Sequence, residues 1–178
     1  MTTINDSFLT IEHAQGRFTF EHLVPTSVCL TGQGAGGADI NIRISYQTHV
    51  FSRRHEGGSA AFALRDEAGL LRQFCEERYE NSLALPDICK NMVENNYLTW
   101  ESLDKNKASN LAVSGPVLTS GLNDLVVYYL FPSRSDVHNV ELVVKSAYQK
   151  EIDFSHIKRR YNVCQLVKKA HFQQIRVP

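Results

Sequence analysis

The 178-residue sequence has no run of eighteen apolar residues, so no segment qualifies as a membrane-spanning helix. Residues 1–10 have neither a basic start nor an apolar core, so a secretory leader is not expected and the default address is the cytoplasm. The four cysteines, Cys29, Cys75, Cys89 and Cys164, form no C-x-x-C pair. In a reducing compartment they read as buried thiols rather than bridges or zinc ligands. Several chemical signatures are missing as well. There is no G-x-x-x-x-G-K-[ST] phosphate loop, no H-E-x-x-H, no G-x-S-x-G and no H-x-E with a later C-x-x-C. These gaps argue against most nucleotide hydrolases, zinc peptidases, esterases and zinc deaminases. No paired carboxylates stand on one strand at a metal-holding spacing, and neither a metal nor a cofactor is expected.

What is present suits one domain with a sizeable core. The apolar fraction is 43% and the charged fraction 21%, as in ordinary globular chains. Formal net charge is zero, but it is unevenly spread. Residues 51–104 carry ten acids against six Lys/Arg, whereas residues 155–178 carry Lys158, Arg159, Arg160, Lys168, Lys169 and Arg176 with no acid. Such a tail can meet RNA, an acidic protein partner or the chain's own acidic middle.

Pattern divides the chain into strands, two helices and more strands. Residues 8–11 and 17–24 flank a hairpin turn at 13–16, and 27–31 is a short strand. Gly32, Gly34 and Gly37 fit G-x-G-x-x-G, but strict alternation follows instead of a helix, so the segment reads as an inter-strand loop. Residues 40–51 alternate throughout. That places Ile40, Ile42, Ile44 and Tyr46 on one face and Arg43, Ser45, Gln47 and His49 on the other. Gly57-Gly58-Ser59 breaks the chain. Residues 66–95 read as two helices, the first on Leu70, Leu71, Phe74 and Cys75, with Arg78 and Tyr79 near its end and Ser82 just past it. The second starts at Pro86, with Ile88, Cys89, Met92 and Val93 as its stripe. Residues 97–103 and 110–114 pair across a turn at 104–107. Residues 125–131 and 137–148 form a long hairpin, with Val140, Leu142, Val144, Ser146 and Tyr148 on one face. The segment 157–177 fits strand or helix. The expectation is an α+β fold, an antiparallel sheet with two helices packed on one face. The single domain comprises a β-rich extension (1–38), a core (39–150) and a basic C-terminal segment (151–178).

His, Arg, Tyr and Ser make up the polar inventory, and that set suits metal-independent cleavage of RNA. His49 supplies a base or acid near neutral pH. Arg78, Arg53 or Arg54 clamps the phosphate, and Tyr79 or Tyr148 donates a proton or stacks on a base. Ser82, Ser146, Lys158, Arg159 and Arg160 are candidate substrate contacts. Bland roles compete at each position: a surface histidine, an ion-paired helix arginine, a core tyrosine with a wet hydroxyl.

The same residues carry a resemblance. His49-Val-Phe51, then Arg72-Gln-Phe-Cys-Glu-Glu-Arg-Tyr-Glu-Asn-Ser82 with Leu85-Pro-Asp-Ile88, and Tyr129, Phe131 and Ser133 leading to Val140-Glu-Leu-Val-Val-Lys-Ser-Ala-Tyr148 resemble a family of uncharacterised bacterial proteins. The likeness spans roughly residues 44–150 and leaves out the first 38. The family carries no established activity and so assigns no catalytic residue. A fainter similarity runs to small toxin nucleases of the barnase and RelE kind, although their usual glutamate base is not identifiable here. Two functions fit: an RNA-cleaving enzyme built on His49, Arg78, Tyr79 and Tyr148, or a non-catalytic interaction protein acting through charged surfaces. The second would be a regulator or inhibitor of a host system, of the kind mobile elements and phages carry.

Overall fold

The computed structural model describes residues 10–13, 16–57, 63–103 and 108–178. Its elements run β1 (Thr10–His13), β2 (Gly16–Thr19), β3 (Thr26–Leu30), β4 (Ile40–Tyr46), β5 (Ser52–Arg54), β6 (Ala63–Arg65) and β7 (Leu71–Phe74). They continue α1 (Glu76–Ser82), α2 (Leu85–Glu94), β8 (Leu98–Leu103), β9 (Ser109–Val113), β10 (Gly121–Pro132), β11 (Val140–Ile152), β12 (Tyr161–Asn162) and α3 (Val163–Gln173). The turn expected at 104–107, part of the hairpin at 8–16 and the break at 58–59 lie outside the described residues.

Seven strands form the main sheet, in the order β12-β8-β9-β10-β11-β4-β3. Its pairings are antiparallel except β11 with β4, which is parallel. Alternation drives β4, where Ile40, Ile42, Ile44 and Tyr46 are fully buried against the helices. In α2, Pro86 occupies the first turn, where its missing N–H costs nothing, and Leu85, Cys89, Met92 and Val93 form the buried stripe. The ambiguous tail resolves as helix α3, with Val163, Leu166, Val167 and Ala170 at i, i+3, i+4 and i+7 facing the same core. The architecture is therefore α+β, with the helices packed on one face of a mostly antiparallel sheet.

The described residues among the first 38 include the strands β1, β2 and β3, and part of this stretch is integral. β3 completes the edge of the sheet beside β4, and Phe20 and Leu23 are buried in the main core. The glycine segment is an inter-strand loop between β3 and β4. Gly36 and Gly37 take φ values of 63° and 84°, and a Cβ on Gly34 would stand 2.9 Å from the Ala38 carbonyl oxygen. No dinucleotide-type helix follows it.

Three local expectations are corrected. Residues 66–75 are not a helix: Asp66-Glu-Ala-Gly69 is a turn joining β6 to β7 in a small sheet of order β5-β7-β6. Leu70 and Leu71, which gave the helical spacing, are 65% and 43% exposed. The strand of residues 40–51 stops at Tyr46, and Thr48–Val50 is a 3-10 turn. The alternation of β11 also breaks. Val127 pairs with Ser146 and Tyr128 with Val144, so Lys145 is the extra residue of a bulge. Ser146 and Tyr148 therefore lie opposite Val140, Leu142 and Val144, and Ala147 takes the helix side.

The bulge makes a specific prediction. Ala147→Asp should cost about 2 kcal/mol or more, because an unpaired carboxylate enters the helix-side core, and Ser146→Asp less than about 1 kcal/mol. Urea denaturation of both variants checks this; the reverse order is what unbroken alternation would give.

Candidate functional site

At the corner after β4, polar side chains replace the apolar ones. The Gln47 N–H donates to the Val144 carbonyl at 2.9 Å, fixing the corner to β11 just before the bulge. The Gln47 side-chain amide donates to the Tyr129 hydroxyl at 3.2 Å, and the Arg176 guanidinium carbon sits 4.6 Å from that ring's centroid. Burial pushes the Tyr129 hydroxyl up to about 12, so it stays protonated. The Thr48 N–H and hydroxyl donate to the Glu67 carboxylate at 2.7 and 3.1 Å.

His49 Nε2 lies 3.1 Å from Asp66 Oδ2. The Asp66 side chain is almost fully buried, and its Oδ1 accepts the Ala68 and Leu70 N–H groups at 3.0 and 2.9 Å. Burial acts to raise the Asp66 pKa, but the hydrogen bonds from His49, Leu70 and Ala68 outweigh it, and the net shift is downward. Burial also lowers His49, and the Asp66 contact only partly offsets this. His49 is then a neutral imidazole near pH 7 that donates through Nε2, and Arg72, 3.8 Å from Asp66, is the charged partner. Arg72 also donates to the Ser52 hydroxyl and carbonyl at 2.8 and 2.9 Å, while that hydroxyl gives its proton to the Thr48 carbonyl. Arg78 donates one Nη1 to the carbonyls of His49 and Ser52 at 2.9 and 3.0 Å. Arg78 thus ties down the turn that carries His49.

Tyr79 faces elsewhere. Its ring packs among Phe18, Phe20, Phe74 and His22, and its hydroxyl donates to the Thr19 carbonyl at 2.9 Å. Ser82 and His22 are 2.8 Å apart and look like a nucleophile and base. Ser82 is fully buried, however, and its hydroxyl donates to the Tyr79 carbonyl at 2.6 Å. The imidazole must be the donor in this pair, which is a strut for the start of the chain rather than an activated serine.

The remaining candidates scatter. Tyr148 packs with Trp100, Leu125, Ile152 and Phe154 in a second core cluster across the sheet. The Gln73 side-chain oxygen accepts from Arg53 Nε and Nη2 at 2.7 and 2.9 Å, and Arg54 is exposed on the same short strand. Lys158, Arg159 and Arg160 are exposed after β11, with Arg160 donating to the Phe154 carbonyl at 2.8 Å. Ser146 is half-buried beside the bulge. Of the four catalytic candidates, the structure brings together His49 and Arg78, the latter through its backbone contacts. Among the described residues, no three His, Cys, Asp or Glu side chains stand close enough to hold a metal ion.

A cleft of about 470 Å³ opens where α1 and α2 meet the ends of β9, β10 and β11. Leu85, Ile88, Val113, Val126 and Ala147 give it an apolar floor. Glu80, Asn81, Asn91, Asp124 and Gln149 give it a polar rim, and Tyr97 and Tyr148 border it. Two of the sequence segments singled out above meet here: Glu80, Asn81, Leu85 and Ile88 from the first, Ala147 and Tyr148 from the second.

The family model for the YjaZ family matches residues 10–175. The chain belongs to the YjaZ family. That match extends the resemblance beyond residues 44–150 and takes in most of the first 38. No curated protein and no solved structure matches the chain, and the likeness to barnase and RelE nucleases has no support.

Sequence reasoning missed Asp66, Glu67 and Arg72 around His49, and Asp124 at the cleft. Asp-x-x-Gly at 66–69 is a turn signature that the leucine spacing overrode. Asp124 carries no local signal, because only the β10–β11 register brings it opposite Gln149 and toward α1.

The corner has a measurable pH signature. His49 and His22 both have folded pKa values lowered from 6.5 by burial, so the unfolded chain binds protons first. Stability should be full above about pH 6.5 and fall as pH drops toward the lowered folded values. Urea denaturation at pH 7.5 and 5.5 should show this slope, and His49→Gln should remove part of it and leave the His22 share. In the same assay Arg72→Met should cost about 3–5 kcal/mol, since it leaves the Asp66 charge buried without its partner.

Proposed function

We propose that this protein is a non-catalytic recognition protein whose binding site is the cleft between α1, α2 and the ends of β10 and β11. One observation carries the reading: two of the sequence segments that carry the family resemblance converge on this cleft. Two of the four catalytic candidates, and the substrate-contact candidate Ser82, make contacts with the main chain. Arg78 holds two backbone carbonyls, Tyr79 holds Thr19, and the Ser82 proton goes to the Tyr79 carbonyl. Glu80 and Asp124 give the cleft acidic charge, and no base lines it among the described residues, which disfavours a polyanion there. Exposed Lys158 and Arg159 offer the opposite charge to an acidic protein partner or RNA. Action in the cytoplasm fits the four free cysteines, and no described helix is long and apolar enough to cross a membrane.

One observation favours the alternative, RNA cleavage. The His49 ring is 28% exposed and is oriented through Nε2 by Asp66, which leaves Nδ1 as the nitrogen for proton transfer. Incubating the purified protein with total RNA in EDTA separates the two readings. The RNA should stay intact. Cleavage that disappears in His49→Gln would overturn the recognition reading.

A further inference from the structure

We infer that the cleft takes a small organic cation, an ammonium or guanidinium group carried on an apolar body. This inference rests on the recognition reading and names its ligand class. Two features of the lining decide it. The first is the floor, lined by the half-buried Ile88 of α2 and by the buried Val126 of β10 and Ala147 of β11, all hydrocarbon. The bulge at Lys145 sets the Ala147 side chain on this side, and a residue with only a methyl group leaves room beneath the helices. A ligand must therefore bring apolar surface to replace water there.

The second feature is charge. Glu80 comes from α1 and Asp124 from β10, so two carboxylates from separate elements border the same opening. Among the described residues, no Lys, Arg or His belongs to the lining. An anion entering the cleft would meet only like charge, and a neutral ligand would leave both carboxylates to water. A cation is attracted by each. The start of α2 also borders the cleft and could favour an anion, but Pro86 has no N–H to offer and Asp87 already occupies that first turn. Tyr97 lines the wall with an aromatic ring, a further surface suited to an ammonium or guanidinium group.

The volume of about 470 Å³ falls within the range of small-molecule sites, roughly 300–1,000 Å³. A compact ligand is therefore the occupant, with its apolar body on the floor and its charged end at the rim.

Isothermal titration calorimetry with 4-phenylbutylamine, 4-phenylbutanol and 4-phenylbutyrate as probes tests the assignment. The amine should bind at least fivefold more tightly than the alcohol, and the carboxylate should bind most weakly. Glu80→Gln and Asp124→Asn change exposed side chains, so both variants should keep the wild-type circular dichroism spectrum. Each should weaken the amine by about fivefold, the upper end for one exposed ion pair. Asp124→Lys should reverse the order of amine and carboxylate, which a merely structural role for Asp124 would not do. Equal or tighter binding of the carboxylate by the wild type would overturn the cation assignment and leave the cleft as a binding site. Tighter binding of a short Leu-Arg peptide than of the amine would replace the small molecule by a partner chain. Failure of all probes to bind would overturn the inference, and His49-dependent RNA cleavage would remove the reading beneath it.

Discussion

One extra residue in β11 organises the half of the molecule that holds both the His49 corner and the cleft. Parallel pairing of β11 with β4 ends at Val144 opposite Tyr46, and Lys145 then enters as the bulge. Before it, β11 is a central strand that buries Val140, Leu142 and Val144 under the helices. After it, the same face carries Ala147. The opposite face receives Ser146 and Tyr148, and Tyr148 joins a separate cluster around Trp100 and Phe154. The end of the parallel pairing also frees β4 to leave the sheet. The Gln47 N–H holds the departing chain to the Val144 carbonyl, and the polar corner around His49 begins there.

That corner is built on charge compensation. A buried carboxylate at Asp66 is tolerable because Arg72, two backbone amides and the His49 imidazole surround it. Arg78 and Ser52 then fix the turn from below. The arrangement looks catalytic in composition, yet Arg78, Arg72 and Ser52 each donate to main-chain carbonyls. The cleft shows the opposite balance: its floor is apolar, its rim is polar, and its charged residues face open space.

Much of the fold was legible because it depends on local pattern. β4 followed from strict alternation and α2 from Pro86 and its apolar stripe. The hairpins β8–β9 and β10–β11 were flanked by recognisable turns. The failures had physical causes. Leu70 and Leu71 mimicked a helix because exposed leucines at a hairpin carry the same spacing as buried ones. The bulge at Lys145 is set by the cross-strand register with β10, which no window of β11 reveals. α3 stayed ambiguous because Val163 to Val167 suits either element until the sheet offers a face to cover. The site was harder to see than the fold. His49 and Arg78 were picked out, but their buried partners lay in a segment given the wrong structure, and Asp124 enters the cleft only through pairing.

The central claim is that recognition happens at the cleft and not at the His49 corner. A nuclear magnetic resonance titration of ¹⁵N-labelled protein with the small-molecule fraction of a bacterial lysate addresses it most directly. Amide shifts should concentrate on Asn81, Ile88, Asp124 and Gln149 and leave the corner unmoved. Shifts centred on His49, Asp66 and Arg72, with the cleft silent, would contradict the account.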